Sequence, residues 1–166
     1  MIVKNFNKSL LINISLTLLI FLIDRISKIY VINLDKNFSG SEIFSSKFLN
    51  IYLIWNEGIA FGLLSFEKSH LYNFLTFLIL IVVILIFFMI LGSVGLKKYS
   101  LLMIFGGALG NLYDRIFFKA VPDFIDFHIG NFHWFIFNVS DIFITLGVSF
   151  MIILEIIDSR KADGKI

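Results

Sequence analysis

The sequence predicts an all-α membrane protein, four transmembrane helices with a small extracytoplasmic β-sheet or cradle between the first and second spans. Three observations carry this. Of the 166 residues, 58% are hydrophobic and only 16% charged, with a mean hydropathy of +0.93. A soluble domain is about half apolar and about a quarter charged, so this chain lacks the polar surface to cover itself in water. Four stretches approach the roughly 20 apolar residues that an α-helix needs to cross a bilayer. Basic residues gather on alternate connections between those stretches, which orients the chain.

The first span covers approximately residues 10–33. It opens with LLINISLTLLIFLI and then meets Asp24, Arg25 and Lys28. Lys4 and Lys8 precede it, as in a signal peptide, but no small-residue cleavage site follows, so it is read as an uncleaved span. The segment 34–70 is too long for a turn, and FLNIYLIW at 48–55 is a β-type run of alternating and aromatic residues. The second span, 71–91, carries no charge and is apolar all round, as a lipid-embedded helix is. Lys97 and Lys98 lie in the turn to the third span, 99–118, which holds Asn111, Asp114 and Arg115 near its end. The connection 119–134 contains Pro122, Asp123, Asp126, His128 and His133, and the fourth span, 135–157, carries Asn138 and Asp141 near its start. Arg160, Lys161 and Lys165 follow. The basic flanks put both termini in the cytoplasm and the segments 34–70 and 119–134 outside. Residues 1–166 are read as a single four-span domain without internal repeats or linkers.

Composition also excludes. Fourteen basic and twelve acidic residues give a net charge of +2 without a cationic patch, which argues against a nucleic-acid partner. The absence of cysteine removes disulfides, thiolate metal sites and a cysteine nucleophile.

Ionisable groups inside a bilayer are costly unless they face protein or water, and mark functional sites by default. Here they gather toward one end of the spans. Asp24 and Lys28 are four apart and share a helix face, as do Asn111 and Arg115. A buried Asp24–Lys28 pair or an Asp114–Arg115 contact would tie helices together without chemistry. Asp123 and Asp141 differ, because neither has a basic residue at helical pairing distance. One lies just outside the third span and the other just inside the fourth, so antiparallel spans bring them to a common depth. Two carboxylates forced together share a proton, and such a pair supplies a base for water and an acid for a carbonyl. Taken alone, these residues leave an aspartate dyad for hydrolysis beside two rivals, a small transporter component and a metal site. Asp123, Asp126, His128 and His133 are all oxygen or nitrogen donors, but their spacing matches no ligand pattern, so no metal is assigned. His70, His128 and His133 read as surface or interfacial. Gly106 and Gly110, at GxxxG spacing, read as a site of close helix packing.

Five segments in order, DRISK at 24–28, NEGIAFG at 56–62, GALGNLYDR at 107–115, VPDF at 121–124 and FNVSD at 137–141, give a resemblance over nearly the full length. The chain resembles the lipoprotein signal peptidases, or signal peptidases II, aspartic peptidases of bacterial membranes. The resemblance implies a catalytic dyad of Asp123 and Asp141. It implies substrate-binding or site-supporting roles for Asn56, Gly58, Asn111, Arg115, Asn138, Asp24 and Lys28. It further implies cleavage of diacylglyceryl-modified prolipoproteins immediately before the lipidated cysteine, with no cofactor, no metal and no obligate protein partner, at the outer face of the bacterial inner membrane. The segment from Asn56 to Gly62 becomes a lid or cradle over the lipidated cysteine. Arg25, Pro122 and Ser140 depart from the glutamine, small aliphatic residue and alanine common at those places. Transporter and lipid-processing transferase readings fit less well: no repeat relates two halves, and Asp123 and Asp141 lack the helical spacing of a pyrophosphate-binding carboxylate cluster.

Overall fold

The computed structural model describes residues 2–38, 41–58 and 69–164. The part of NEGIAFG after Gly58 and the side chain of His70 lie outside them. The chain forms four long helices, α1 (Ile2–Phe38), α2 (Ser69–Gly92), α3 (Gly95–Phe117) and α4 (Val139–Ala162). Three of them are long and apolar enough to cross a membrane, over Ser9–Phe38, Tyr72–Gly92 and Val139–Ala162.

Helix α3 touches α1, α2 and α4, and is the centre of the bundle. Its Leu101 and Leu102 are buried with Ile90 of α2, against Leu16, Ile86, Ile104, Phe105 and Met151, so all four helices meet in one apolar cluster. The approach of α3 to α4 is close enough to demand glycine. A Cβ on Gly107 would lie 2.6 Å from the carbonyl oxygen of Ser140, and one on Gly147 would lie 2.7 Å from that of Ser100. The GxxxG pair reaches α1 as well: a Cβ on Gly106 would touch Ile20 at 3.0 Å, and one on Gly110 would meet Asp24 Oδ2 at 2.6 Å. The expected packing role of these glycines is therefore met on two sides of α3.

A four-stranded antiparallel sheet in the order β1-β2-β3-β4 stands at one end of the bundle: β1 (Phe44–Ser45), β2 (Leu49–Asn56), β3 (Val121–Ile129) and β4 (Phe132–Phe137). Strand β2 coincides with the β-type run read from sequence. The sheet is not confined to the segment between the first two spans, however: half of it comes from the connection after α3. Residues 135–137, assigned above to the fourth span, belong to β4, and helix α4 starts at Val139. Aromatic and β-branched residues in FHWFIF favour a strand, while Asn138 caps the helix behind it. The register joins Trp55 to Pro122 and Ile54 to Asp123, with a bulge in β2 between Ile51 and Ile54. This pairing brings Asn56 at the end of β2 alongside the start of β3.

Candidate active site

Asp141 occupies the third position of α4, and Asn138 is that helix's N-cap. Their capping is reciprocal: Asp141 N donates to Asn138 Oδ1 at 3.2 Å, and Asn138 N donates to Asp141 Oδ2 at 3.1 Å. Each satisfies a backbone donor that a helix start leaves open. The Asn138 side chain also reaches β3, where its Nδ2 donates to Asp123 Oδ1 at 2.6 Å. One carboxamide therefore touches both aspartates. Asn56 Nδ2 donates to the other oxygen of Asp123 at 2.9 Å, and Asn111 Nδ2 donates to Asp141 Oδ1 at 2.8 Å.

Asp123 is buried, with 4% of its surface exposed. Burial, with the neighbouring charge of Asp141 second, pushes its pKa up to about 6, against the lowering effect of the Asn56 and Asn138 hydrogen bonds. A carboxyl held near neutrality by loss of water and a like charge is what an acid–base pair requires.

Arg115 donates from Nη2 to the carbonyl of Gly58 at 2.8 Å, while Gly58 N donates to Asn56 Oδ1 at 2.9 Å. The β2 end is thus tied to α3, and the backbone turn at Gly58 sets the amide that faces Asp123. Asn56, given a substrate-binding or site-supporting role by the resemblance, is a direct partner of a candidate catalytic carboxylate.

Beneath the aspartates lies a buried ion cluster. Lys28 Nζ pairs with Asp24 at 2.9 Å and with Asp114 at 2.7 Å, and donates to Asn111 Oδ1 at 2.8 Å. Arg25 pairs with Asp24 at 2.7 Å and with both oxygens of Asp114. Two cations and two anions balance among nearly water-free side chains, the condition under which a buried ion pair is tolerable. The expected Asp24–Lys28 pair is present. The alternative Asp114–Arg115 contact is replaced, because neighbours on a helix project about 100° apart: Asp114 faces α1 and Arg115 faces Gly58. Arg25, noted in sequence only as a departure, supplies the second cation of the cluster. The cluster connects upward twice: Lys28 through Asn111 to Asp141, and Asp24 Oδ1 through the backbone N–H of Ser140 at 3.0 Å, beside the start of α4.

The nine residues singled out from sequence, Asp123, Asp141, Asn56, Gly58, Asn111, Arg115, Asn138, Asp24 and Lys28, therefore form one hydrogen-bonded assembly with Arg25 and Asp114. Two cavities flank it. One, of about 560 Å³, is bordered by Tyr52, Asn56, Gly58, Asp123, Asp126 and Trp134. The other, of about 470 Å³, is an apolar groove bordered by Phe127, Phe135, Phe137, Asp141, Ile142 and Leu146.

The chain matches the family model described as signal peptidase (SPase) II over residues 16–157. It is 46% identical over 154 residues to the lipoprotein signal peptidase of Pelagibacter ubique (strain HTCC1062), covering 93% of both chains. It is 38% identical over 158 residues to that of Anaplasma marginale (strain Florida), covering 93% of this chain and 90% of the other. Two solved chains described as a bacterial membrane enzyme, determined in meso at 2.3 and 1.9 Å resolution, superpose with TM-scores of 0.71 and 0.69 at 27% identity. They cover 90% and 86% of this chain, and 90% of each of those chains is covered. These matches decide for a peptidase over the transporter and transferase readings. With family model, relatives and fold in agreement, the chain belongs to the signal peptidase II family of membrane aspartic peptidases.

Proposed function

We propose that this enzyme cleaves the signal peptide from diacylglyceryl-modified prolipoproteins immediately before the lipidated cysteine, with Asp123 and Asp141 as the catalytic pair. The observation that carries the proposal is the shared carboxamide of Asn138, which contacts Asp123 and Asp141 at once. In the proposed reaction one carboxylate takes a proton from water as it attacks the scissile carbonyl. The other, protonated, hydrogen-bonds the carbonyl oxygen as negative charge builds there. The proton then passes to the leaving amine as the C–N bond breaks. Asn56, Asn111 and Asn138 hold the two carboxyl groups in place, and Arg115 holds the Gly58 turn. Asp24 and Lys28, with Arg25 and Asp114, form the rigid base.

In this reading the whole chain is one four-span unit in the bacterial inner membrane, with α3 as the remaining span and both termini in the cytoplasm. The sheet and the aspartates lie at the outer face, where a lipid-anchored substrate can enter sideways from the bilayer. The apolar groove beside Asp141 suits the hydrophobic part of a signal peptide. No metal takes part in the chemistry, and the partners are prolipoprotein substrates and membrane lipids.

The test is release of signal peptide from a lipidated precursor by purified protein, with and without a chelator. Cleavage by the wild type in both conditions is expected. Asp123→Asn and Asp141→Asn should each lose at least about a hundredfold in rate, the low end of what a general acid or base contributes. Substantial turnover by a correctly folded Asp141→Asn protein refutes the pair mechanism.

A further inference from the structure

On the same sheet, further along β3 from Asp123, three side chains that no part of the proposed reaction uses converge. Asp126 and His128 are two apart on β3 and so point to one face, and His133 of β4 stands opposite His128 in the register. Asp126 is fully buried. Its carboxylate lies 2.8 and 3.0 Å from His133 Nδ1 and 3.4 Å from the Asn50 amide nitrogen. The two imidazoles stack with centroids 5.0 Å apart and planes 20° from parallel. One ligating atom from each of the three residues lies within 4.8 Å of the others. His128 is held by its backbone N–H, which donates to the Phe48 carbonyl at 3.0 Å. Yet its Nδ1 is buried without a hydrogen-bond partner among the described residues, an arrangement that is unfavourable unless something else satisfies the nitrogen.

We propose that Asp126, His128 and His133 form a zinc site that clamps β3 to β4. The donor set of two imidazoles and one carboxylate is the chemistry of Zn²⁺, whose fourth position a water would fill, and is unlike the all-oxygen sets of Mg²⁺ or Ca²⁺. Tetrahedral zinc with bonds of about 2.0–2.1 Å wants its ligands about 3.3 Å apart, so the Asp126–His133 contact at 2.8–3.0 Å must open slightly while the longer separations, within 4.8 Å, close. His133 supplies that movement, because its side chain is 51% exposed, and the same exposure is the path by which an ion enters. Asn50, donating to Asp126 while its own oxygen accepts from Ser45 Oγ at 2.9 Å, orients the carboxylate from behind, as outer partners of metal ligands do. The clamp is structural. It tightens the hairpin that borders the cavity containing Asp123, and it takes no part in the hydrolysis, so its failure would leave the proposed function standing.

The test uses full-length protein in detergent, purified without a polyhistidine tag, stripped with chelator and titrated with Zn²⁺ against a chromophoric competitor. The expected result is one zinc per chain with a Kd of about 10 µM or tighter and a rise in Tm on loading. His128→Ala and His133→Ala should each weaken binding at least about tenfold, while X-ray absorption of the loaded wild type shows a nitrogen/oxygen shell at about 2.0–2.1 Å. Wild-type protein that binds zinc more weakly than this overturns the proposal without reference to any variant. So does equal binding by the wild type and by a His128→Ala/His133→Ala protein whose metal-free Tm is unchanged.

Discussion

Asn138 and Asp141 cap each other across the first turn of α4, side chain to backbone in both directions. The consequence is that the position of a carboxylate is set by helix formation itself: α4 cannot start at Val139 without fixing Asp141. Because the same Asn138 amide donates to Asp123, the β3 carboxylate is referred to the same helix end. The separation of the two aspartates is thereby built from one residue, while α1 and α3 supply the rigid ground beneath.

Replacing Asn138 separates these two duties. Asn138→Ser retains an oxygen able to cap α4, so Tm in detergent should stay within a few degrees of wild type, whereas cleavage falls for want of the amide donor to Asp123. Asn138→Ala should lose both, with the cap alone worth about 1 kcal/mol. Equal melting of the Ser and Ala variants would show that the cap contributes nothing to stability.

The raised pKa of Asp123 makes stability depend on pH with a definite sign. In the unfolded chain the group titrates near the ordinary 3.8, and in the folded protein at about 6. Between these values the folded state holds the proton more tightly, so stability falls as pH rises from about 4 to about 6 and is level above that window. The full difference is roughly 3 kcal/mol. Asp123→Asn cannot titrate, so its Tm relative to wild type should rise across that interval. A constant difference between the two proteins from pH 4 to pH 7 would place the Asp123 pKa elsewhere.

Gly107→Ala and Gly92→Ala give opposite expectations from the same chemical change. Alanine in a helix normally gains up to about 1 kcal/mol over glycine. At Gly107 the new methyl would lie 2.6 Å from the Ser140 carbonyl oxygen, a backbone atom beside the start of α4, whereas at Gly92 nothing lies within 4 Å. Gly107→Ala should therefore lower Tm and, by shifting Asp141, activity. Gly92→Ala should be neutral or slightly stabilising, and thermal melting together with cleavage assays on the pair checks both.

What could be read from the sequence follows the range of the interactions concerned. Unbroken apolar runs report local burial in lipid, so α2 and the apolar parts of α1 and α4 are visible without any partner, and the β-type run at 48–55 coincides with β2. Strand β3 is not visible in sequence, because its identity depends on pairing VPDFIDFHI with a segment some seventy residues earlier, and β4 forms only against β3. Asp123, Asp141 and the asparagines were named by motif, but that Asn138 bridges the aspartates needs the strand and helix in space. Arg25 stands out in sequence only as a departure, because its two carboxylate partners lie on its own helix and on α3. A count of charges would have pointed to it: Asp24 and Asp114 together need two cations, and Lys28 is only one. His128 and His133 read as surface or interfacial in sequence for a similar reason, since a cross-strand register, not a sequence spacing, makes them neighbours.

The ion cluster of α1 and α3 yields the last prediction. Lys28 and Arg25 share the carboxylates of Asp24 and Asp114 at near-zero exposure. Lys28→Ala leaves two buried anions with one cation, and Asp24→Ala leaves two cations with one anion. Either imbalance should cost roughly 3–5 kcal/mol, the range for a buried pair with one partner removed. In the double substitution Asp24→Ala/Lys28→Ala the remaining Arg25 and Asp114 still pair through both carboxylate oxygens and no charge is stranded. Its Tm should therefore recover part of what the single variants lose. Recovery will be incomplete, because Ser140 N loses its acceptor and Asn111 loses the Lys28 donor that steadies it against Asp141. For the same reason the double variant should remain poorly active even where its stability returns. Asn56→Ala, by contrast, removes two hydrogen bonds at the rim, to Asp123 and from Gly58 N, and should depress cleavage with little change in melting. A thermal-shift and activity series on these four proteins decides the matter. If the single Asp24 and Lys28 variants melt like wild type yet fail to cleave, the pair is not scaffold but contacts the substrate.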